Sequence, residues 1–135
     1  MKNLFYCLAA LAACVASCLS AQESNHSDSN LVGEWRGTSA CQVRESACHD
    51  EDSVYHITPI TGKPSWFSLR GDKVVDGKPI TMGTLDCSYD YGKSALACQS
   101  PRGVFRFNIR GNKMEGTMAL PNGTLWRKIT LTKAK

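Results

Sequence analysis

The chain has 135 residues, 42% of them apolar and 21% charged, with a net charge of +4. That is the length and composition of one ordinary globular domain, so a single folded domain is expected and a fully disordered chain is not. The charge is unevenly placed: residues 19–60 carry seven acids and two bases, whereas residues 61–135 carry thirteen bases and five acids. Such a division fits either a solvated surface of both signs or a dipolar module that docks on a charged partner.

The chain opens with Lys2 and the apolar run Leu4-Phe5-Tyr6-Cys7-Leu8-Ala9-Ala10-Leu11-Ala12-Ala13. One cation, an apolar core and then small side chains are the pattern of an export signal, and this one is too short to span a membrane. Val15-Ala16-Ser17-Cys18 resembles the bacterial lipoprotein cleavage box, as does Leu11-Ala12-Ala13-Cys14. Cutting before Cys14 leaves an unusually brief leader, so residues 1–17 are expected to be the signal peptide and Cys18 the lipidated first residue. The resemblance implies stable membrane anchoring through several acyl chains, at ~0.8 kcal/mol per buried methylene. Leu19 stands where an aspartate argues for inner-membrane retention, so the implied address is the outer membrane, facing periplasm or exterior. Ordinary cleavage after Ala21, giving a soluble periplasmic or secreted protein, is the alternative. Residues 18–30 are polar and low in complexity and suit a flexible tether. The folded domain is expected over residues 31–135.

That domain contains Cys41, Cys48, Cys87 and Cys98. Four cysteines in an oxidising compartment imply two disulfides with three possible connectivities. Cys87 and Cys98 flank Gly92-Lys93 symmetrically and would face each other across a hairpin, which leaves Cys41 to pair with Cys48 around a short loop. A zinc site of four thiols is disfavoured because no C-x-x-C pair exists.

Beyond the leader the periodicity is that of strands, broken by glycine-rich turns. The first covers 32–41, with Leu31, Gly33, Trp35 and Gly37 on one face. A loop over 42–52 leads to a strand near 53–60. The next begins at Ser65, with Phe67 and Leu69 on one face and Trp66 and Arg70 on the other. Gly71-Asp72 interrupts it before Asp76-Gly77, a strong two-residue hairpin turn. Strands follow over 78–89 and 94–100. Beyond Pro101-Arg102-Gly103, Phe105, Phe107 and Ile109 alternate with polar residues. Met114, Gly116, Met118 and Leu120 face inward on the seventh strand, and the last covers 124–132. With a bulge at Gly71-Asp72 there are eight strands, and with a turn there are nine; eight is the expected number. The large inward groups lead us to expect a filled interior.

An early Gly33-Glu34-Trp35, an eight-stranded meander and a basic residue on the last strand together resemble the calycins, the lipocalin-like and avidin-like barrels. The resemblance implies an up-and-down barrel with Trp35 at its closed end and a cation from the final strand over the indole ring. Arg127 shares inward parity with Leu125, Ile129 and Leu131 and is the expected cation, with Trp126 pointing out; Lys133 is the alternative. In size, export and disulfide use the chain also resembles small periplasmic inhibitor barrels. The spacing Cys41 to Cys48-His49-Asp50-Glu51, followed by Val54-Tyr55-His56, resembles a pattern of small exported bacterial proteins that implies no activity.

The densest functional cluster is His49, Asp50, Glu51 and Asp52, with His56 just beyond. It reads as a disulfide-pinned acidic loop at the barrel rim; divalent metal binding, with His49, Asp50 and His56 as ligands, is the weaker alternative. Trp66 and Trp126, outward beside Arg70 and Lys128, are candidate interface aromatics together with Arg44 and Glu45. No serine sits in a catalytic motif and no phosphate-binding glycine loop precedes a helix, so no enzyme is expected, and neither a cofactor nor a nucleic-acid partner. The leading expectation is a non-catalytic envelope lipoprotein that presents its 42–52 loop to a protein or other envelope component, an enzyme it inhibits among the options. The alternative is a carrier of a small apolar ligand inside the barrel. The anchor has a direct check: palmitate labelling of cells is expected for the wild-type chain and lost in Cys18→Ser, and label that persists in the variant refutes the site.

Overall fold

The computed structural model describes residues 28–135. The leader, Cys18 and residues 19–27 lie outside the described residues. Eight strands follow in chain order: β1 (Gly33–Cys41), β2 (Glu51–Pro59), β3 (Trp66–Val75), β4 (Lys78–Asp90), β5 (Ala95–Ser100), β6 (Gly103–Arg110), β7 (Lys113–Ala119) and β8 (Leu125–Lys133). Each pairs antiparallel with the next, and β8 returns to pair with β1, so the sheet closes as an up-and-down barrel. This is the architecture that the calycin resemblance implies. Residues 28–30, placed with the tether on composition, form instead a 3-10 turn that leads into β1.

The count is eight because Gly71-Asp72 does not end a strand. Gly71 faces Gly83 and Asp72 faces Thr81, so the extra residue is Met82 on the neighbouring strand. A bulge of this kind bends β4 and leaves β3 continuous. At the tip of the same hairpin, Asp76 and Gly77 both have positive φ, at 50° and 75°. A two-residue turn matched to the twist of its strands needs that conformation at both positions.

A second irregularity corrects the parity expected for β8. Met118 pairs with Arg127 but Ala119 pairs with Leu125, so Trp126 is the extra residue. Leu125, expected inward, is therefore 38% exposed. Trp126, expected outward, is partly buried and packs against the core. Alternation alone cannot anticipate this, because one inserted residue reverses every face beyond it.

Both disulfides form as expected, Cys41–Cys48 and Cys87–Cys98. The chain-entropy model gives each short ring roughly 2.5–3 kcal/mol. Their presence suits an oxidising, exported environment. Among the described residues no helix is long and apolar enough to cross a membrane.

The core is uneven along the barrel axis. Trp35, Ile57, Phe67, Leu96, Phe107 and Met114 are fully buried and fill one end. Two strands close on each other beside them at Gly37, where an added Cβ would lie 2.0 Å from the backbone oxygen of Thr130. Gly37→Ala is therefore expected to cost about 1–3 kcal/mol, the range for an overpacked interior. Gly92, in the β4–β5 turn, has only a side-chain oxygen at 3.4 Å, and Gly92→Ala should change little. Urea unfolding of the two variants checks the contrast.

Candidate functional site

The two ends of the barrel are built differently. At the closed end Trp35 is fully buried and its Nε1 donates to the carbonyl of Leu31 at 2.9 Å. Leu31 is held there because its own N–H, and that of Val32, donate to the carbonyl of Asp28. The Asp28 carboxylate accepts from the Tyr91 hydroxyl at 2.5 Å, which together with burial raises the phenol to about 12. The cation over the indole is Lys133, whose Nζ lies 5.6 Å from the ring centroid and donates to the carbonyl of Ser29. Burial pushes the Lys133 ammonium below its ordinary value. Gly33 keeps this corner open, since a Cβ there would lie 3.3 Å from Cε of Lys133.

Arg127, the first choice for that position, lies at the other end. The register explains the correction: Trp35 pairs with Lys133, whereas Arg127 pairs with Cys41, at the far end of β1. There Arg127 donates to the carbonyl of Ser39 at 3.2 Å and of His49 at 3.0 Å. Its other nitrogen lies 3.3 Å from a carboxylate oxygen of Glu51. The loop 42–50 is thereby tied down at three points besides its disulfide. Cys41 N–H donates to the Asp50 carboxylate at 2.7 Å, Gln42 N–H donates to the carbonyl of Trp126 at 2.9 Å, and Arg127 holds His49.

Behind this rim lies a cavity of about 420 Å³. The filled interior expected from the aromatic and Met content is thus present only at the Trp35 end. The physical reason is side-chain size: the inward positions near the mouth include Ser39, Ser53 and Gly71, too small to meet across the barrel. The remaining walls are mostly apolar, with Tyr55, Leu69, Phe105, Met118 and Trp126 among them. Burial pushes the Tyr55 phenol up to about 12; Arg127 opposes this and Glu51 adds to it. Tyr55 therefore stays a neutral hydroxyl.

Asp72, on the cavity wall, is nearly fully buried. Its carboxylate accepts from the Thr81 hydroxyl at 2.8 Å and lies 3.1 Å from Nε2 of His56 and 3.4 Å from Arg70. Burial pushes the Asp72 carboxyl up, but Thr81, Arg70 and His56 together more than offset it, so the net pKa is lower than the ordinary 3.8.

These contacts disperse the proposed metal ligands. His56 joins Asp72 and Glu34, Glu51 joins Arg127, and Asp50 accepts from Cys41. No group of His, Cys, Asp and Glu suited to a metal ion is found among the described residues. Arg44, Glu45, His49, Asp50 and Asp52 are exposed on or beside the rim loop. Trp66 is 43% exposed but begins β3, so it sits toward the Trp35 end and does not share a surface with that loop. Ser39, Ser53, Tyr55, Asp72, Lys73 and Arg102 were not singled out by the sequence. Only the run of small inward residues could have pointed to the space between them. No protein-family model matches the chain, and no curated protein matches it at a significant level.

Asp72 predicts the shape of the acid limb of stability. A carboxyl whose folded pKa is depressed stabilises the fold above its unfolded pKa, and that contribution is lost as pH falls through the folded value. Urea unfolding of the wild type should therefore weaken from about pH 4 downward. Asp72→Asn should be less stable by roughly 1–3 kcal/mol at neutral pH and show a flatter acid limb.

Proposed function

We propose that this is an exported, non-catalytic binding protein that takes a small, largely apolar molecule into the open end of its barrel. The observation that carries the reading is the cavity of about 420 Å³ with mostly apolar walls. Pockets for small organic ligands commonly fall at ~300–1,000 Å³, lined by apolar and aromatic side chains with a few fixed polar groups. Tyr55 and Arg127 are such groups, and a neutral phenol beside a guanidinium suits a ligand with one polar end. Lipidation at Cys18 would hold the barrel on the outer membrane, on its periplasmic or exterior side, within reach of envelope amphiphiles.

A second reading keeps the rim loop as a docking element for another macromolecule, an enzyme to be inhibited among them. It is favoured by the restraint of residues 42–50, since a loop already fixed loses little conformational entropy on binding. Exposed Arg44, Glu45, His49 and Asp50 would then meet the partner.

The two separate experimentally. 1-Anilinonaphthalene-8-sulfonate should bind the wild-type chain with enhanced fluorescence, and Ser53→Leu, which places an apolar side chain in the space, should weaken it about tenfold, ~1.4 kcal/mol. Equal binding by both chains sinks the cavity reading. A pull-down in which Cys41→Ser, Cys48→Ser kept every specific partner counts against the loop.

A further inference from the structure

The ladder between β4 and β5 is short. β4 has 13 residues, but only Cys87 to Asp90 pair with β5. Residues 78–86 pair with β3 alone, so the barrel is split along one seam, and the split begins at the Cys87–Cys98 disulfide. The cavity lies directly behind it, lined by residues 82–85 from one lip and 100–102 from the other.

The geometry of the disulfide shows which backbone groups face the opening. Its Cα–Cα distance of 4.2 Å marks Cys87 and Cys98 as a non-hydrogen-bonded pair. The N–H and C=O of Cys87 therefore turn toward β3, and those of Asp86 and Thr84 turn into the seam. Tyr89 obeys the same alternation, since its N–H donates at 2.8 Å to Ser65, just ahead of β3. Natural sheets blunt such edges with proline, charge or a bulge. Here Lys78, Pro79 and the Met82 bulge protect the outer part, while residues 83–86 carry none of these except Asp86. Beside them Met82 is 54% exposed.

The charges around the opening are not balanced. Glu51 is held by Arg127, and Asp72 by Arg70 and His56. Lys73 and Arg102, which also line the cavity, have no ion-pair partner among the described residues. Asp86, exposed on the seam, has no ion-pair partner among the described residues either, so two cations against one carboxylate leave a net positive charge for an incoming group.

We infer that the seam accepts an extended, acidic polypeptide segment of another protein as an added strand. Its backbone bonds to Thr84 and Asp86, one apolar side chain enters the cavity, and a carboxylate meets Lys73 and Arg102. Strand addition of this kind draws affinity from the main chain and specificity from alternate side chains. The inference rests on the proposed cavity for the pocket that takes the side chain, and it adds the edge and the class of ligand.

The probes are three capped nonapeptides titrated into the isotope-labelled chain from residue 19 onward. One alternates Val and Thr around a central Leu with Asp near both ends; the second carries Lys in place of Asp; the third is the acidic peptide N-methylated at alternate residues. The acidic peptide should shift the Thr84 and Asp86 amides and slow their hydrogen exchange about tenfold, and the other two should bind about tenfold more weakly. Thr84→Pro, lacking the N–H, should lose the peptide while Thr84→Ala keeps it. Arg102→Glu, an exposed change that spares the backbone, should reverse the preference between the Asp and Lys peptides. Peptides that leave both amides unmoved at millimolar concentration, or an N-methylated peptide that binds equally well, overturn the inference. The dye assay run alongside separates the two failures: dye bound without peptide removes the seam and leaves the cavity, and neither bound removes both.

Discussion

The barrel depends on the indole of Trp35 and the short segment that receives its N–H. A tryptophan brings roughly 150–250 Å² of surface, and at ~25 cal/mol per Å² its burial is an upper-bound gain of about 4–6 kcal/mol. That gain requires a partner for the indole N–H, because an orphaned buried donor costs about 1–3 kcal/mol. The Leu31 carbonyl is that partner, and it is in place only because Asp28–Asn30 turn back over the barrel end. Lys133 then closes the corner from the last strand, lying over the ring and bonding the same turn. First strand, last strand and lead-in turn meet at one side chain, where the ends of the chain must be joined for the sheet to close.

Filling one end so completely fixes the character of the other. The large side chains are concentrated around Trp35, and the mouth is left with Ser39, Ser53 and Gly71 facing inward. A mouth lined this way would lose its space by collapse unless its walls were held apart. Arg127 supplies part of the restraint, bridging Ser39 on β1, His49 in the loop and Glu51 on β2. The disulfide at Cys41–Cys48 shortens the loop that spans them. The acidic first part and basic second part of the sequence meet here through Arg127 with Glu51.

The architecture was legible because its signals are local. Alternation, the Asp76-Gly77 turn and the symmetric placement of Cys87 and Cys98 each depend on a few neighbouring residues. The strand ends differ from expectation by only a few positions; β2, for example, begins at Glu51 rather than 53. What failed was register. A single inserted residue, Trp126, reverses the faces of Leu125 and Trp126, and no composition rule marks where such an insertion falls. The same limit moved the cation over Trp35 from Arg127 to Lys133, six residues apart on one face. The site was less legible still, because a cavity is an absence of side chains. Ser39 and Ser53 look like ordinary polar strand residues until the barrel brings them together around one space.

The seam and the cavity have one cause. β4 is longer than the ladder β5 offers it, and its bulge at Met82 bends the β3–β4 hairpin where the two strands part. Left unclamped, a split of this kind could propagate down the barrel, since each lost pair exposes the next. Cys87 and Cys98 stand at the last paired position before the opening and join it covalently. The bond therefore does more than constrain the unfolded chain: it sets where the wall ends and the opening begins. A wall that stops at a fixed place can keep backbone groups exposed to solvent without fraying. Arg127 restrains one side of the mouth and the disulfide the other, so the opening is a built part of the barrel.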